Sequence, residues 1–220
     1  MNLQTEKYYW KKGYKIIIGL DEVGRGPLSG PVTTAAVIIN SKVKNQKSKL
    51  QLKNQNFKIL LKITRDSKKL SEKQREKIFK LIKKCSYIKF SLSSVSAKII
   101  DEINIDNATK RAMKNCLNKI IPKYNLKDIL ILVDGNKIID KNLKIKQIAI
   151  VKGDDKIFSI ALASIIAKVT RDRKMKKLSL QYPEYYFHQH KGYGTKLHKK
   201  LIKKYGPCKI HRQSYKPIKK

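Results

Sequence analysis

The stretch YKIIIGLDEVGRGPLSGPVTTAAVIIN, residues 14–40, holds two β-branched apolar runs, Tyr14 to Leu20 and Pro31 to Asn40, separated by a segment rich in glycine and proline. Runs of Ile, Val and Thr punctuated by turn formers predict two strands joined through a turn. The first run ends in two adjacent acids, Asp21 and Glu22, in a chain with few carboxylates. Neighbouring residues of a strand face opposite ways, so these two can serve one site only where the chain bends between them. The glycines that follow, Gly24, Gly26 and Gly30, make such a bend easy.

Working outward, DILILVDGN (128–136) and KQIAIVKGD (146–154) are short, continuous apolar runs, each ending in Gly beside an Asp. That is the pattern of buried parallel strands running into loops. YIKFSLSSVS (87–96) alternates enough to be another strand. SEKQREKIFKLIKKC (71–85) spaces Ile78, Leu81 and Ile82 at helical intervals behind Ser71, a good N-cap. SAKIIDEINIDNATKRAMKNCLNKII (96–121) reads as two helices with a break near Asn104 to Asn107, ended by Pro122. SIALASIIAKVTRDRKMKKL (159–178) reads as one long helix with a small-residue face. Residues 41–57, mostly Lys, Asn and Gln, read as a loop insertion, and the basic stretch after Gly192 is helical around 196–204. Strands, helices, two more strands and more helices predict an α/β fold, a sheet covered by helices on both faces. A single domain, 1–220, is expected, with a basic helical segment from about 196 to 220.

Lys and Arg number 52 against 16 Asp and Glu, a formal net charge of +36. A chain so charged repels itself unless a polyanion is near, and nucleic acid is the leading candidate. A Lys, Ile and Asn bias running through plain surface stretches contributes to the same total, so charge alone points to a partner and not to an activity. Cys85, Cys116 and Cys208 are an odd set without a C-x-x-C pair, which suggests neither a disulfide framework nor a zinc ribbon. No apolar run approaches the roughly 18 residues of a membrane span, and the N-terminus lacks a signal-like apolar core. A soluble, monomeric cytoplasmic protein without membrane contact is expected.

Asp21 and Glu22 follow one strand, Asp134 ends another, and Asp154 follows the last. Each has an ordinary reading, a turn for D-G and a helix cap for an Asp after Gly. Together they can meet, because sites in open α/β sheets form at the carboxyl ends of strands. Clustered carboxylates repel and raise one another's pKa unless a cation is present, and an all-oxygen set suits Mg²⁺ or Mn²⁺. Two such ions about 3.5–4 Å apart meet the requirements of phosphodiester hydrolysis without a Ser or His nucleophile. Directly after the acids, Gly24, Arg25 and Gly26 offer backbone N–H groups and a cation to an anion or hydroxyl. His188, His190 and His198 fit no zinc spacing and are expected at the surface, whereas Trp10 and the early tyrosines are expected to pack.

The motifs GLDEVGRGPLSGPV, DSKKLSEKQRE (66–76), DEINIDNATKRAM (101–113), LVDGN (132–136), VKGD with SIALASIIAKVTRD (159–172), HKGYGT (190–195) and HRQSY (211–215) resemble, in order, those of the ribonuclease HII (type 2 ribonuclease H) family. The resemblance covers nearly the whole chain. It implies an RNase H-like fold, a mixed five-stranded sheet flanked by helices with a small helical C-terminal extension. It also implies an endonuclease that hydrolyses the RNA strand of RNA/DNA hybrids and cuts 5′ of ribonucleotides in duplex DNA with Mn²⁺ or Mg²⁺, leaving 3′-hydroxyl and 5′-phosphate ends. By motif, Asp21, Glu22, Asp134 and Asp154 correspond to the family's metal-binding catalytic acids. Gly24, Arg25 and Gly26 correspond to the turn that reads the 2′-OH, Tyr193 to the tyrosine that stacks on the sugar, and Lys68 and Lys69 to phosphate contacts. The sequence departs from the pattern in the 41–57 insertion, in Leu162 where a small residue is expected, and in Tyr186 where a Gly usually precedes the Phe. Two rival readings are a noncatalytic basic nucleic-acid binder that keeps the fold, and a related nuclease such as a junction resolvase or type 3 enzyme. The intact acid set opposes the first, and the G-R-G turn and HKGYGT the second.

Overall fold

The computed structural model describes residues 1–40, 55–122 and 124–219. Most of the expected 41–57 insertion lies outside the described residues, and its last three residues instead open a helix, α2 (Gln55–Ile63). Phe57 and Leu60 give that helix a buried stripe, which begins only at the edge of the polar window.

Five strands form one sheet in the order β3-β2-β1-β4-β5. β1 (Ile16–Val23) and β2 (Val32–Asn40) pair antiparallel through the turn expected from the sequence. β2 also pairs antiparallel with β3 (Ile88–Val95), whereas β1 and β4 (Ile129–Asp134), then β4 and β5 (Lys146–Ile150), are parallel. Alternation sends Ile17, Leu130 and Leu132 to one face, packed with Phe158, Ile160 and Leu162. Ile18, Leu20, Ile131 and Val133 go to the other, against Met113, Cys116 and Leu117. The first face is covered by α3 (Glu72–Lys83) and α6 (Phe158–Gln181), the second by α4 (Ala97–Ile120), as the continuous apolar strands require. Leu162, the departure from a small residue, is fully buried in that first core.

Local signals hold where they were strong. Ser71 caps α3 in a capping box with Gln74. α4 breaks at Asn104 (φ 63°, ψ 168°), whose side chain then accepts from the Asn107 N–H and caps the second half. After the single turn α7 (Phe187–His190), α8 (Lys196–Tyr205) is the expected basic C-terminal helix. An N-terminal helix, α1 (Gln4–Lys11), was not legible in advance. It buries Trp10 and carries Glu6, fully buried, to the first turn of α6, where its carboxylate accepts from the Ser159 N–H. The N-cap of α6, Ile157, has no side-chain oxygen, so a residue some 150 positions away supplies the cap. Among the described residues no helix is long and apolar enough to cross a membrane.

α6 reaches β1 because Gly19 has no side chain. A Cβ there would lie 2.4 Å from the Ser159 carbonyl carbon and 2.6 Å from the Ile160 nitrogen, backbone atoms that cannot step aside. Gly19→Ala is therefore expected to destabilise the protein by at least about 3 kcal/mol. A urea midpoint within error of the wild type would show that α6 does not sit so close.

Candidate active site

β1 and β4 run parallel in register, with Leu20 opposite Val133, so Asp21 and Asp134 emerge side by side one residue later. After β5 the chain turns through Lys152 in a left-handed conformation (φ 57°, ψ 42°) into α5 (Gly153–Lys156), a single turn that carries Asp154. Carboxylate oxygens of Asp21, Asp134 and Asp154 lie within 4.8 Å of one another. One Asp134 oxygen accepts from the N–H groups of Gly153 (2.7 Å) and Asp154 (3.4 Å), which ties the ends of β4 and β5 together.

Three of the four expected acids thus meet closely, and Glu22 stands at the rim. β1 continues through Val23, so no sharp bend separates Asp21 from Glu22. Asp21 is buried and faces inward, whereas Glu22 is partly exposed, 3.9 Å from the Arg25 guanidinium. Burial, then repulsion from Glu22 and Asp134, holds the Asp21 carboxyl well above its ordinary range. Burial also raises Glu22, offset in part by the Arg25 guanidinium and reinforced by the Asp134 charge, and it raises Asp134, reinforced by the Asp154 charge. A group of acids this costly to ionise suits a hard cation, and the all-oxygen donor set fits Mg²⁺ or Mn²⁺.

Lys68 reaches into the cluster, its ammonium 2.9 Å from an Asp154 oxygen, and Lys69 pairs with Asp155 at the same distance outside it. The Asp154 contact raises the Lys68 pKa, so the amine stays charged. The 3₁₀ turn that presents both lysines is anchored by Ser67, whose hydroxyl lies 2.9 Å from that of Ser164 on α6. Ser164 in turn hydrogen-bonds Asp21. Sequence reading passed over Ser67 and Ser164, whose only signal was a serine on the small-residue face of a helix.

The G-R-G turn adjoins the acids. Gly24 has φ +95°, and a Cβ there would meet Arg171 Nε at 2.3 Å, so its identity follows from this protein's own packing. Gly26 differs, because its φ is not in the left-handed region and nothing lies within 4 Å of where a Cβ would be. Arg25 bonds Asp106 and donates to Thr109 Oγ1 at 3.3 Å, both on α4. A cavity of about 270 Å³ opens beside it, bounded by Glu22, Asp106, Lys110, Asp134 and Lys137.

Two arginines with no place in the sequence reading of the site hold this turn from behind. Arg212, fully buried, donates to the carbonyls of Gly24 (2.5 Å), Arg25 (2.7 Å) and Gly30 (3.0 and 3.1 Å). Arg171, also fully buried, donates to Pro31 (2.9 Å), Lys191 (3.0 Å) and Ser29 (3.1 Å). Arg171 therefore joins the segment that follows G-R-G to the turn that carries Tyr193, whose partly exposed ring lies 5.7 Å from both the Arg171 guanidinium and the Lys168 ammonium. Burial lowers the Arg171 pKa to about 10, leaving it charged at neutral pH.

The histidine expectation holds only in part. His188 is exposed, whereas His190 and His198 are buried. Their rings pack with Phe187 and His211 in the satellite core under α8, an apolar setting that spacing along the chain does not reveal. Tyr186 takes a left-handed conformation (φ 53°, ψ 39°), the physical reason a glycine is expected at that position.

A mixed sheet covered on both faces, with buried acids gathered at the carboxyl ends of adjacent parallel strands, defines the RNase H-like class. The family model described as ribonuclease HII matches residues 18–218. Ribonuclease HII of Caldicellulosiruptor bescii is 47% identical over 212 residues, covering 96% of this chain and 92% of its own. That of Caldicellulosiruptor saccharolyticus is 48% identical with the same coverage. The crystal structure of ribonuclease H2 from Pyrococcus horikoshii superposes with a TM-score of 0.70 at 28% identity, covering 92% of this chain and 95% of that one. The chain belongs to the ribonuclease HII family and is an enzyme of that family.

Proposed function

We propose that the protein is a two-metal endoribonuclease that hydrolyses the RNA strand of RNA/DNA hybrids and cuts 5′ of a ribonucleotide within duplex DNA. The observation that carries this reading is the convergence of Asp21, Asp134 and Asp154 within 4.8 Å, beside the G-R-G turn. These three, with Glu22 at the rim, would hold Mn²⁺ or Mg²⁺. Two such ions, when bound, supply an activated water and stabilise the leaving oxygen.

The chain's own residues do the rest. Hydrogen bonds from Ser164 to Asp21, and from the Gly153 and Asp154 N–H groups to Asp134, aim the carboxylates before the cations arrive. Lys68, charged and beside Asp154, is placed to turn to the phosphate when a cation takes over the acids, and Lys69 to hold the next phosphate along. Gly26 has room on the side where its Cβ would stand, so a 2′-OH can approach the backbone of the turn there closely, beside the Arg25 side chain. Tyr193 offers its ring to the neighbouring sugar. The water oxygen bonds to phosphorus, the bond to the 3′ oxygen of the preceding nucleotide breaks, and that oxygen takes up a proton. The products are a 3′-hydroxyl and a 5′-phosphate.

Incision of a labelled DNA duplex carrying one ribonucleotide tests this reading, with Mg²⁺ or Mn²⁺, with EDTA, and beside an all-DNA control. Metal-dependent cutting 5′ of the ribonucleotide, with the control intact, is expected. Tight binding without cutting under either metal would favour the noncatalytic nucleic-acid binder.

A further inference from the structure

Three buried imidazoles lie directly behind the Tyr193 turn, and their hydrogen bonds admit one arrangement of protons. His198, in the first turn of α8, has Nδ1 2.9 Å from the Tyr193 carbonyl. A carbonyl only accepts, so His198 carries its proton on Nδ1 and presents a lone pair at Nε2. His211 has Nε2 3.0 Å from that nitrogen, and its own Nδ1 accepts from the Cys208 N–H at 2.9 Å. His211 must therefore be protonated at Nε2 and donate to His198. His190 stacks on His198 with centroids 4.2 Å apart. Its Nε2 donates to the Tyr185 carbonyl (2.8 Å), while Nδ1 accepts from the Gly192 N–H (3.1 Å).

Besides backbone bonds from the Tyr193 N–H to His190 (2.9 Å), from the Thr195 N–H to Tyr193 (2.8 Å) and from the Leu28 N–H to Gly192 (2.8 Å), imidazoles hold residues 192–193 at two points, the Gly192 N–H by His190 and the Tyr193 carbonyl by His198. A second proton on His198 would set its Nε2–H against that of His211 across 3.0 Å, and one on His211 would set its Nδ1–H against the Cys208 N–H across 2.9 Å. Burial keeps both rings neutral, with pKa values lowered to about 4, and lowers His190 as well.

We propose that His198 is a positioning residue for substrate recognition, the end of a proton-ordered chain from Cys208 through His211 that fixes how Tyr193 is presented. The proposal rests on the reading of Tyr193 as the residue that meets the sugar. It adds residues that touch no substrate yet set the geometry of one that does. The Tyr193 ring, flanked by Arg171 and Lys168, has no hydrogen bond to the core among the described residues, so the backbone that the imidazoles help to hold sets where it stands.

Two near-isosteres divide the two ends of the His198 ring. His198→Asn places an amide N–H near Nδ1 and retains the bond to Tyr193, while giving up the link to His211. His198→Gln reaches toward His211 and gives up the bond to Tyr193. With the single-ribonucleotide duplex as substrate, His198→Gln is expected to raise KM about five- to tenfold, roughly the worth of one hydrogen bond, with kcat nearly unchanged. His198→Asn is expected to stay within about twofold of the wild type on the same scale, and Tyr193→Ala to raise KM at least as far as His198→Gln. Equal KM values for the Asn and Gln variants, with Tyr193→Ala still impaired, overturn the role of His198 and leave the reading of Tyr193 standing. An unchanged KM in Tyr193→Ala overturns both. Independently of activity, ¹⁵N spectra of the wild-type imidazoles at neutral pH are expected to show His198 protonated at Nδ1 and His190 and His211 at Nε2. His198 protonated at Nε2 would overturn the chain itself.

Discussion

Asp21→Asn is expected to abolish cleavage and, in EDTA, to raise the melting temperature. The two effects have one cause. In the metal-free protein the Asp21 carboxylate is buried among Glu22 and Asp134, which holds its pKa well above the unfolded value. A carboxyl raised in the folded state binds more protons there than in the unfolded chain, so stability falls as pH rises from about 4 through the raised value. Above the raised value the full cost of ionising it is present. The amide removes that cost and can still accept from the Glu22 N–H, now bonded to Asp21 Oδ1 at 2.6 Å. Each kcal/mol relieved is worth about 2–4 °C in a chain of this size. On the proposed reading the same substitution takes a ligand from the cation site, where a Lewis-acid centre would supply several kcal/mol at the transition state, so activity should fall at least about a thousandfold. Mn²⁺ should raise the melting temperature of the wild type and leave the variant nearly unmoved. A variant that melts below the wild type in EDTA, or still gains stability from Mn²⁺, would contradict this account of the cluster.

The second large effect lies outside the acids. Arg212→Lys keeps a positive charge but replaces a planar fork, bonded to three carbonyls, with a single ammonium on a shorter reach. Buried carbonyls of Gly24 and Gly30 lose their partner, and each unsatisfied group costs about 1–3 kcal/mol. A loss of roughly 3–5 kcal/mol is expected, a drop of about 10 °C or more in melting temperature. At temperatures where the variant remains folded, cutting at a ribonucleotide should weaken more than metal-induced stabilisation, because the G-R-G turn is released while the acids are not. A melting temperature within about 2 °C of the wild type would mean that this buried guanidinium is not what holds the turn.

Much of this was legible along the chain. The apolar runs ending in Asp21, Asp134 and Asp154 placed three acids at strand ends, and parallel pairing of β1, β4 and β5 brings those ends together. Ser71, Asn104 and the small face of α6 carry their meaning within a few residues, because caps, breaks and close-packing stripes are local matters. The helix at 55–63 was obscured because its two buried residues adjoin a long polar tract. The bend sought between Asp21 and Glu22 is absent, since alternation along β1 simply leaves Glu22 at the rim.

What the sequence by itself determined is the sheet, its helical cover and the positions of the acids, all consequences of periodicity and turn chemistry. Only the tertiary structure decided that Arg171, Arg212, His198 and His211 lie buried behind the G-R-G and Tyr193 turns, and that Glu6 caps a helix from the far end of the chain. A polar side chain goes inside only where it meets partners, and these partners are backbone carbonyls and N–H groups that distant turns leave unpaired. No spacing in the sequence records where those groups will be, because they come into being only when the loops close on one another.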